Sequence, residues 1–352
     1  MLSRDADACY WIGRYVERAE ATARMVDVHY HAALESAQPA TEKAFHTLRW
    51  ESLLAISGSA KEYQARYGPE NDRDVLHFFT FDTQNYNSIL SSWERARGNA
   101  RAIREQLASE MWESLNVSYL QLREWDVDRV LAESPYTFFQ MVKNASHLFQ
   151  GILNRTLLMG ETRDWLDTGR FLERAVQTTR LVDVKYHDLL PTAQDLAGEE
   201  TPNLSSQTQN QTLQSQTQSQ DALDPLGVGG PLDIHGWIAV LKSVGAFEMY
   251  RKTHRDGITP ANVVGFLVLN PQFPASVRHG IGRVEGCLRR ISNNQREEPT
   301  NDPERLIGRL RADLTYTRPE EIILRGLHAF LEGVQVQCAD IGKAITHTYL
   351  SY

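Results

Sequence analysis

"GRYVERAEATARMVDVHYH" (Gly13–His31) and "GRFLERAVQTTRLVDVKYH" (Gly169–His187) are two copies of one line, 169 − 13 = 156 residues apart, and twelve of their nineteen paired positions are identical. Arg14, Glu17, Arg18, Arg24, Asp27 and His31 recur as Arg170, Glu173, Arg174, Arg180, Asp183 and His187. The oily positions drift instead: Tyr15 becomes Phe171, Val16 becomes Leu172 and Met25 becomes Leu181, while one polar residue, Glu20, is replaced by Val176. At about 100° per residue, Glu17, Arg24, His31, Glu20 and Asp27 fall within an arc of about 80°. Trp11, Tyr15, Ala19, Thr22, Val26, Tyr30 and Ala33 lie on the opposite side, so each copy reads as a helix with one apolar face and one polar stripe.

A solvated stripe should drift freely, because surface substitutions usually cost little. Here the stripe is held and the apolar face varies. That pattern implies enclosure of the charges, either in an ion network or in a site facing a ligand or partner. The twelve recurring residues are therefore the candidate substrate- or partner-binding positions, with no catalytic residue singled out. Asp27/His31 and Asp183/His187 have the spacing of metal ligands, but the Glu-x-x-His of a di-metal bundle is missing and Arg24 and Arg180 stand between the carboxylates. No metal is expected.

The repetition extends outward. Trp50, Leu54, Gly58 and Tyr63 match Trp237, Leu241, Gly245 and Tyr250 at an offset of 187, and "FFTFDTQNYNSI" (78–89) matches "FLVLNPQFPASV" (266–277) at 188, with Gln84/Gln272 and Ser88/Ser276 identical. The larger offset requires about thirty extra residues in the second copy, in keeping with repeat units that diverge by loop insertion. "TPNLSSQTQNQTLQSQTQSQ" (201–220) supplies them; it lacks the apolar surface needed to offset its ordering entropy. It reads as a disordered Gln/Ser/Thr-rich insertion at about 194–228, in the place where the first copy has only "SAQPATE" (36–42). The first helical repeat is placed at residues 1–162 and the second at 163–352.

Apolar residues recur at three- and four-residue steps over 4–35, 88–132, 136–160, 163–190 and 319–350, with no sustained alternation of period two. Pro135 and Pro319 suit first helical turns, Asn87 or Ser88 suits the N-cap of one long helix running through "SILSSWERARGNARAIREQLASEMWESL", and "NPQFP" separates two helices. The fold class is all-α, a bundle of long helices built from two diverged repeats.

The 352 residues are 41% hydrophobic and 23% charged, an ordinary globular balance large enough for a substantial core. No apolar run is long enough to span a bilayer, and the charged N-terminus does not read as a signal peptide. Three cysteines without metal-ligand spacing fit small buried side chains in a reducing cytoplasm. A net charge of −8 argues against a dedicated nucleic-acid binder. "WERARGNARAIRE" (93–105) places Arg97, Arg101 and Arg104 on one helical side, with Arg95 elsewhere, and reads most simply as a solvated face. The sequence contains no P-loop, no glycine-rich phosphate cradle after a strand, no G-x-S-x-G and no Cys/His nucleophile arrangement.

"MLSRDADACYWIGRYVERAEATAR" at the N-terminus resembles the start of the bacterial alpha-E domain family, named for its Glu-Arg motif, here Glu17-Arg18. "NSILSSWERARGNARAIREQLASEMWESLN" (87–116), "GRFLERA" (169–175) and "FPASVRHGIGRVE" (273–285) resemble further blocks of that family, which the Gln-rich insertion interrupts. The resemblance implies a partner: alpha-E proteins typically accompany, or are fused to, a circularly permuted ATP-grasp protein, often beside a transglutaminase-like protein. It implies an accessory subunit of an ATP-dependent amide- or peptide-bond-forming complex, with ATP and Mg²⁺ bound by the partner and no cofactor in this chain. Paired arginines suit such a role because they hold carboxylates bidentately. The alternative is a non-catalytic scaffold or interaction module whose stripe is a structural ion network; an autonomous metal-dependent hydrolase is a third reading.

Overall fold

A computed structural model describes residues 1–35, 50–189 and 231–351 apart from 52, 56, 256 and 297, with the backbone alone described at 31–35, 184–189, 231–233 and 235. The Gln-rich insertion lies outside the described residues. Every regular element among them is helical. In chain order these are α1 (Ser3–Glu35), α2 (Ala60–Tyr67), α3 (Asp72–Thr80), α4 (Ile89–Ala102), α5 (Ser109–Leu122), α6 (Val127–Glu133), α7 (Pro135–Thr156) and α8 (Glu161–Leu189). Then come α9 (Pro231–Ser243), α10 (Phe247–Thr253), α11 (Pro260–Val264), α12 (Val277–Ile291), α13 (Asp302–Tyr316), α14 (Pro319–Arg325) and α15 (Leu327–Ile345). Single π-turns follow α11 and α15, at Gly265–Leu269 and Thr346–Leu350. None of the described helices is long and apolar enough to cross a membrane.

The two halves use the same packing scheme. In the first, α1 packs against α4 and α7, α4 against α5, and α5 against α7; in the second, α8 packs against α12 and α15, α12 against α13, and α13 against α15. Local chemistry repeats with it. Ser88 accepts a hydrogen bond from the Ser91 amide at 3.2 Å, and Ser276 accepts one from His279 at 3.2 Å, each capping the helix that follows. Asp82 Oδ1 accepts from the Gln84 amide as Asn270 Oδ1 does from Gln272, which turns the chain into each cap. Gly58 and Gly245 both adopt left-handed backbone, φ 69° and 66°, a conformation that strains residues carrying a β-carbon. Trp50, Leu54 and Tyr63 and their matches Trp237, Leu241 and Tyr250 are all buried. Pro135 and Pro319 occupy first turns as expected.

The halves meet where α1 crosses α8. A β-carbon on Gly13 would collide with the Leu166 carbonyl oxygen and lie 2.9 Å from the Arg170 nitrogen. One on Gly169 would collide with the Tyr10 carbonyl oxygen and lie 3.2 Å from the Arg14 nitrogen. Adding 156 to 10, 13 and 14 yields 166, 169 and 170, so the contact is reciprocal about a pseudo-twofold axis. The Met1 amine reaches Glu161 at 2.8 Å further up the pair, and Arg174 reaches Glu17 below it, so the two helices run in the same direction.

One expectation needs correction. The segment 88–132 is not led by one long helix: α4 ends at Ala102, a short 3₁₀ turn (Arg104–Gln106) follows, and α5 starts at Ser109. Ala100, Ile103, Leu107 and Met111 are all buried, and Leu107 is extended, so the chain doubles back and brings both arms into one core. The reversal places Arg97 and Arg104 over the Trp112 ring, at 5.6 and 4.9 Å. Periodicity alone does not see such a reversal. Packed between α4, α7 and α8, α1 buries its polar stripe at Glu17, Glu20 and Asp27 as well as Ile12, Ala19 and Val26. Cys9, Cys287 and Cys338 are buried free thiols, each pushed up to about 12 by burial.

The crossing makes a direct prediction. Gly13→Ala and Gly169→Ala each force the helices apart and destabilise the fold by about 1–3 kcal/mol, the usual range for overpacking. Gly98→Ala, in α4 with no atom near the added methyl, stabilises it by about 0.5–1 kcal/mol. Denaturant melts of the three variants check the contrast.

Candidate functional site

Just below the crossing, each Glu-Arg dipeptide clasps the other. Arg18 donates from Nε and Nη2 to Glu173 at 2.8 and 3.0 Å, and Arg174 donates from Nε and Nη2 to Glu17 at 2.5 and 2.7 Å. Both are fork-on-carboxylate pairs, the strongest geometry for such groups. Arg14 adds a third guanidinium, donating to Glu173 at 2.7 Å and to the Tyr10 hydroxyl at 3.2 Å while lying over the Trp11 ring. Its counterpart Arg170 turns to Asp167 at 2.8 Å instead. Asn87 accepts from Arg18 at 3.0 Å, and Gln177 donates to Glu173 at 2.9 Å. Glu173 is 1% exposed and Glu17 5%. Burial alone would raise the Glu173 carboxyl, but the charges of Arg18 and then Arg14, with hydrogen bonds from Arg18 and Gln177, hold it well below the usual carboxylate range. The same carboxylates outweigh the effect of burial on Arg14 and Arg174, whose guanidiniums are held more firmly protonated than usual.

The far end of the stripe is enclosed too. Lys143 on α7 donates to Asp27 at 2.7 Å; on α15, His328 Nδ1 lies 2.7 Å from Asp183 and Gln335 donates to Asp183 at 3.3 Å. The hydrogen bond to Asp183 holds His328 above its ordinary value. The side chains of His31 and His187 lie outside the described residues. Among the described residues, no three His, Cys, Asp or Glu side chains converge as a metal site.

Two cavities flank the network. The first, about 290 Å³, is walled by Glu17, Glu20, Arg24, His147, Gln150 and Arg174 among others. Glu20 is its centre: Oε1 accepts from Arg24 Nε and Nη2 at 2.9 and 2.8 Å, and Oε2 from Ser146 at 2.6 Å and Gln150 at 3.3 Å. His147 Nε2 lies 3.2 Å from Oε1. Burial favours the neutral acid, but the hydrogen bond with His147, then Arg24, Ser146 and Arg174, lower the Glu20 carboxyl to about 2. The second cavity, about 590 Å³, is walled by Arg14, Val176, Arg180, Gln335, Cys338 and Lys343 among others. The candidate residues therefore divide three ways. Glu17, Arg18, Glu173, Arg174 and Arg14 form the central network; Arg24 and Arg180 face the two cavities; Asp27, Asp183 and Arg170 are tied off locally.

Sequence comparison passed over Glu20, because it is the one stripe position that changes between the copies, and that change marks where the cavities differ. Lys143, Gln150, His328 and Gln335 gave no signal. Yet α7 and α15 correspond, since 328 − 143 and 335 − 150 both equal 185 and the paired residues serve Asp27/Asp183 and the two cavities.

Two outcomes follow. Glu173→Gln strands paired guanidiniums in a buried site and lowers unfolding stability by about 3–5 kcal/mol, whereas replacing Glu17, Arg18, Glu173 and Arg174 together by apolar residues of similar size costs less than that single change. Chemical denaturation of both variants measures the difference. Since folding lowers the Glu20 carboxyl from 4.5 to about 2, its contribution is full above about pH 4.5 and is lost as pH falls toward 2. Glu20→Gln flattens the fall in melting temperature across that window.

A family model described as a predicted alpha-helical domain with a conserved ER motif matches residues 1–350. An uncharacterised protein of Mycobacterium bovis and one of Mycobacterium tuberculosis are each 22% identical to this chain over 376 aligned positions, covering 97% of it and 36% of the relative. The chain thus spans about a third of the length of these relatives. No solved structure matches it. Glu17-Arg18 and Glu173-Arg174, clasped across the crossing of α1 and α8, are two occurrences of an ER motif in one all-helical chain, and the chain belongs to the Alpha-E family.

Proposed function

We propose that this chain is a non-catalytic helical subunit of an ATP-dependent amide- or peptide-bond-forming complex in the cytoplasm. Its partner would be a circularly permuted ATP-grasp ligase that binds ATP and Mg²⁺, with a transglutaminase-like protein as a further associate. The observation that carries the non-catalytic half is the mutual pairing of the motif. Both glutamates and both arginines of the ER dipeptides are spent on each other, in bidentate bonds that hold α1 to α8. Groups so paired and buried are poor nucleophiles and poor proton carriers, and the three thiols are pushed up by burial as well. The partnered half is supported by the family resemblance and by the relatives, in which the matching segment makes up 36% of a longer chain. In this reading the helical unit is a rigid platform, and the cavities beside the network are its contribution to the acceptor side of the complex.

A second reading keeps the platform and drops the ligase: a scaffold whose ion network serves folding alone. The reciprocity of the Glu17–Arg174 and Glu173–Arg18 pairs favours it equally. Co-expression with the ATP-grasp protein of the same organism separates the two. The subunit reading expects co-purification and ATP turnover at least tenfold higher with this chain present. Absence of association together with unchanged turnover leaves the scaffold.

A further inference from the structure

The internal repeat sets Glu20 and Arg24, beside the first cavity, against Val176 and Arg180, beside the second. Adding 156 carries Glu17, Arg18 and Arg24 to Glu173, Arg174 and Arg180, and carries Glu20 to Val176. On the first side, two guanidiniums, Arg24 and Arg174, meet two carboxylates, Glu17 and Glu20, and every fork is filled. On the second side, Arg14 and Arg18 already share Glu173, and the carboxylate that would serve Arg180 is missing. Among the described residues Arg180 makes no ion pair and no hydrogen bond. Burial lowers its guanidinium, and the charges of Arg18 and Arg14 oppose it further while Glu173 alone favours it.

The space matches the charge. Val176 and Arg180 line a cavity of about 590 Å³, while their counterparts Glu20 and Arg24 line one of about 290 Å³; the larger volume is in the range of small-molecule sites. Among the described residues its wall holds three cations, Arg14, Arg180 and Lys343, and no carboxylate. Trp11 and Ala339 give it an apolar side, and Gln335, the counterpart of Gln150, also lines it while donating to Asp183 at 3.3 Å. A half-buried cation without a counter-charge is costly to maintain unless something pairs with it. We propose that the cavity beside Arg180 binds a small molecule through a carboxylate, which takes the place on the second side that the Glu20 side chain takes on the first. Arg180 supplies the fork, and Trp11 covers the apolar remainder of the ligand. This is a property of the chain alone, independent of any ligase partner, so its failure and the failure of the subunit reading are separate results.

The test is titration of the full chain by calorimetry with 3-phenylpropionate, with the isosteric neutral 3-phenylpropionamide and with inorganic phosphate, each to about 10 mM. The carboxylate is expected to bind at least tenfold more tightly than the amide and than phosphate. Arg180→Met is expected to weaken it at least tenfold, and Arg24→Met, on the filled side, to leave it within twofold. Val176→Glu restores the internal carboxylate; it is expected to abolish binding while keeping the native circular dichroism and raising the melting temperature. That rise, together with native dichroism, shows that lost binding is not lost folding. Equal affinity for acid and amide, tighter binding of phosphate, no binding of the carboxylate, or binding undiminished in Val176→Glu would each overturn the proposal.

Discussion

The close approach of α1 and α8 at Gly13 and Gly169 governs the rest of this molecule. Glycine there lets two helical backbones touch, carbonyl oxygen against α-carbon, in both directions at once. One turn further on, that separation brings each Glu-Arg pair within bidentate reach of the other. A wider crossing would lengthen those bonds and admit water, and the charges would revert to the weak, screened pairs of an exposed helix surface. Buried charges are tolerated only with full hydrogen bonding and close geometry, so the glycines and the ER motif form one device.

That device accounts for the uneven drift between the two copies. An apolar core position accepts another residue of similar size at modest cost, as Val16/Leu172 and Met25/Leu181 do. A member of the clasp has no such substitute, since its loss leaves the partner buried and alone. The exception, Glu20 against Val176, lies just outside the clasp and marks where the symmetry ends. On one flank an internal salt bridge pairs Arg24 with Glu20, and on the other Arg180 faces a cavity with Arg14 and Lys343 in its wall.

Much of this was legible in the residues. The all-helical class, the internal repeat, the cap at Ser88 and the enclosure of the stripe each follow from local patterns that a chain displays in one dimension. Ser88 declares itself because a cap depends on near neighbours, and the repeat pairs it with Ser276, which caps the corresponding helix. The break after Ala102 was not legible. Ala100, Ile103, Leu107 and Met111 have helical spacing whether the chain runs straight or reverses, and only the core that receives them distinguishes the two.

The sequence by itself determined which residues belong together by kind: two glycines, two Glu-Arg pairs, and one arginine seven residues beyond each of Glu17 and Glu173. Tertiary structure alone decided which touch which. Glu17 pairs with Arg174 and not with its own neighbour, Glu173 draws two arginines where Glu17 draws one, and Arg24 is paired while Arg180, among the described residues, is not. The physical reason is that helical periodicity specifies the face a side chain occupies. The partner across that face is set by the separation and axis of two helices more than a hundred residues apart in the chain.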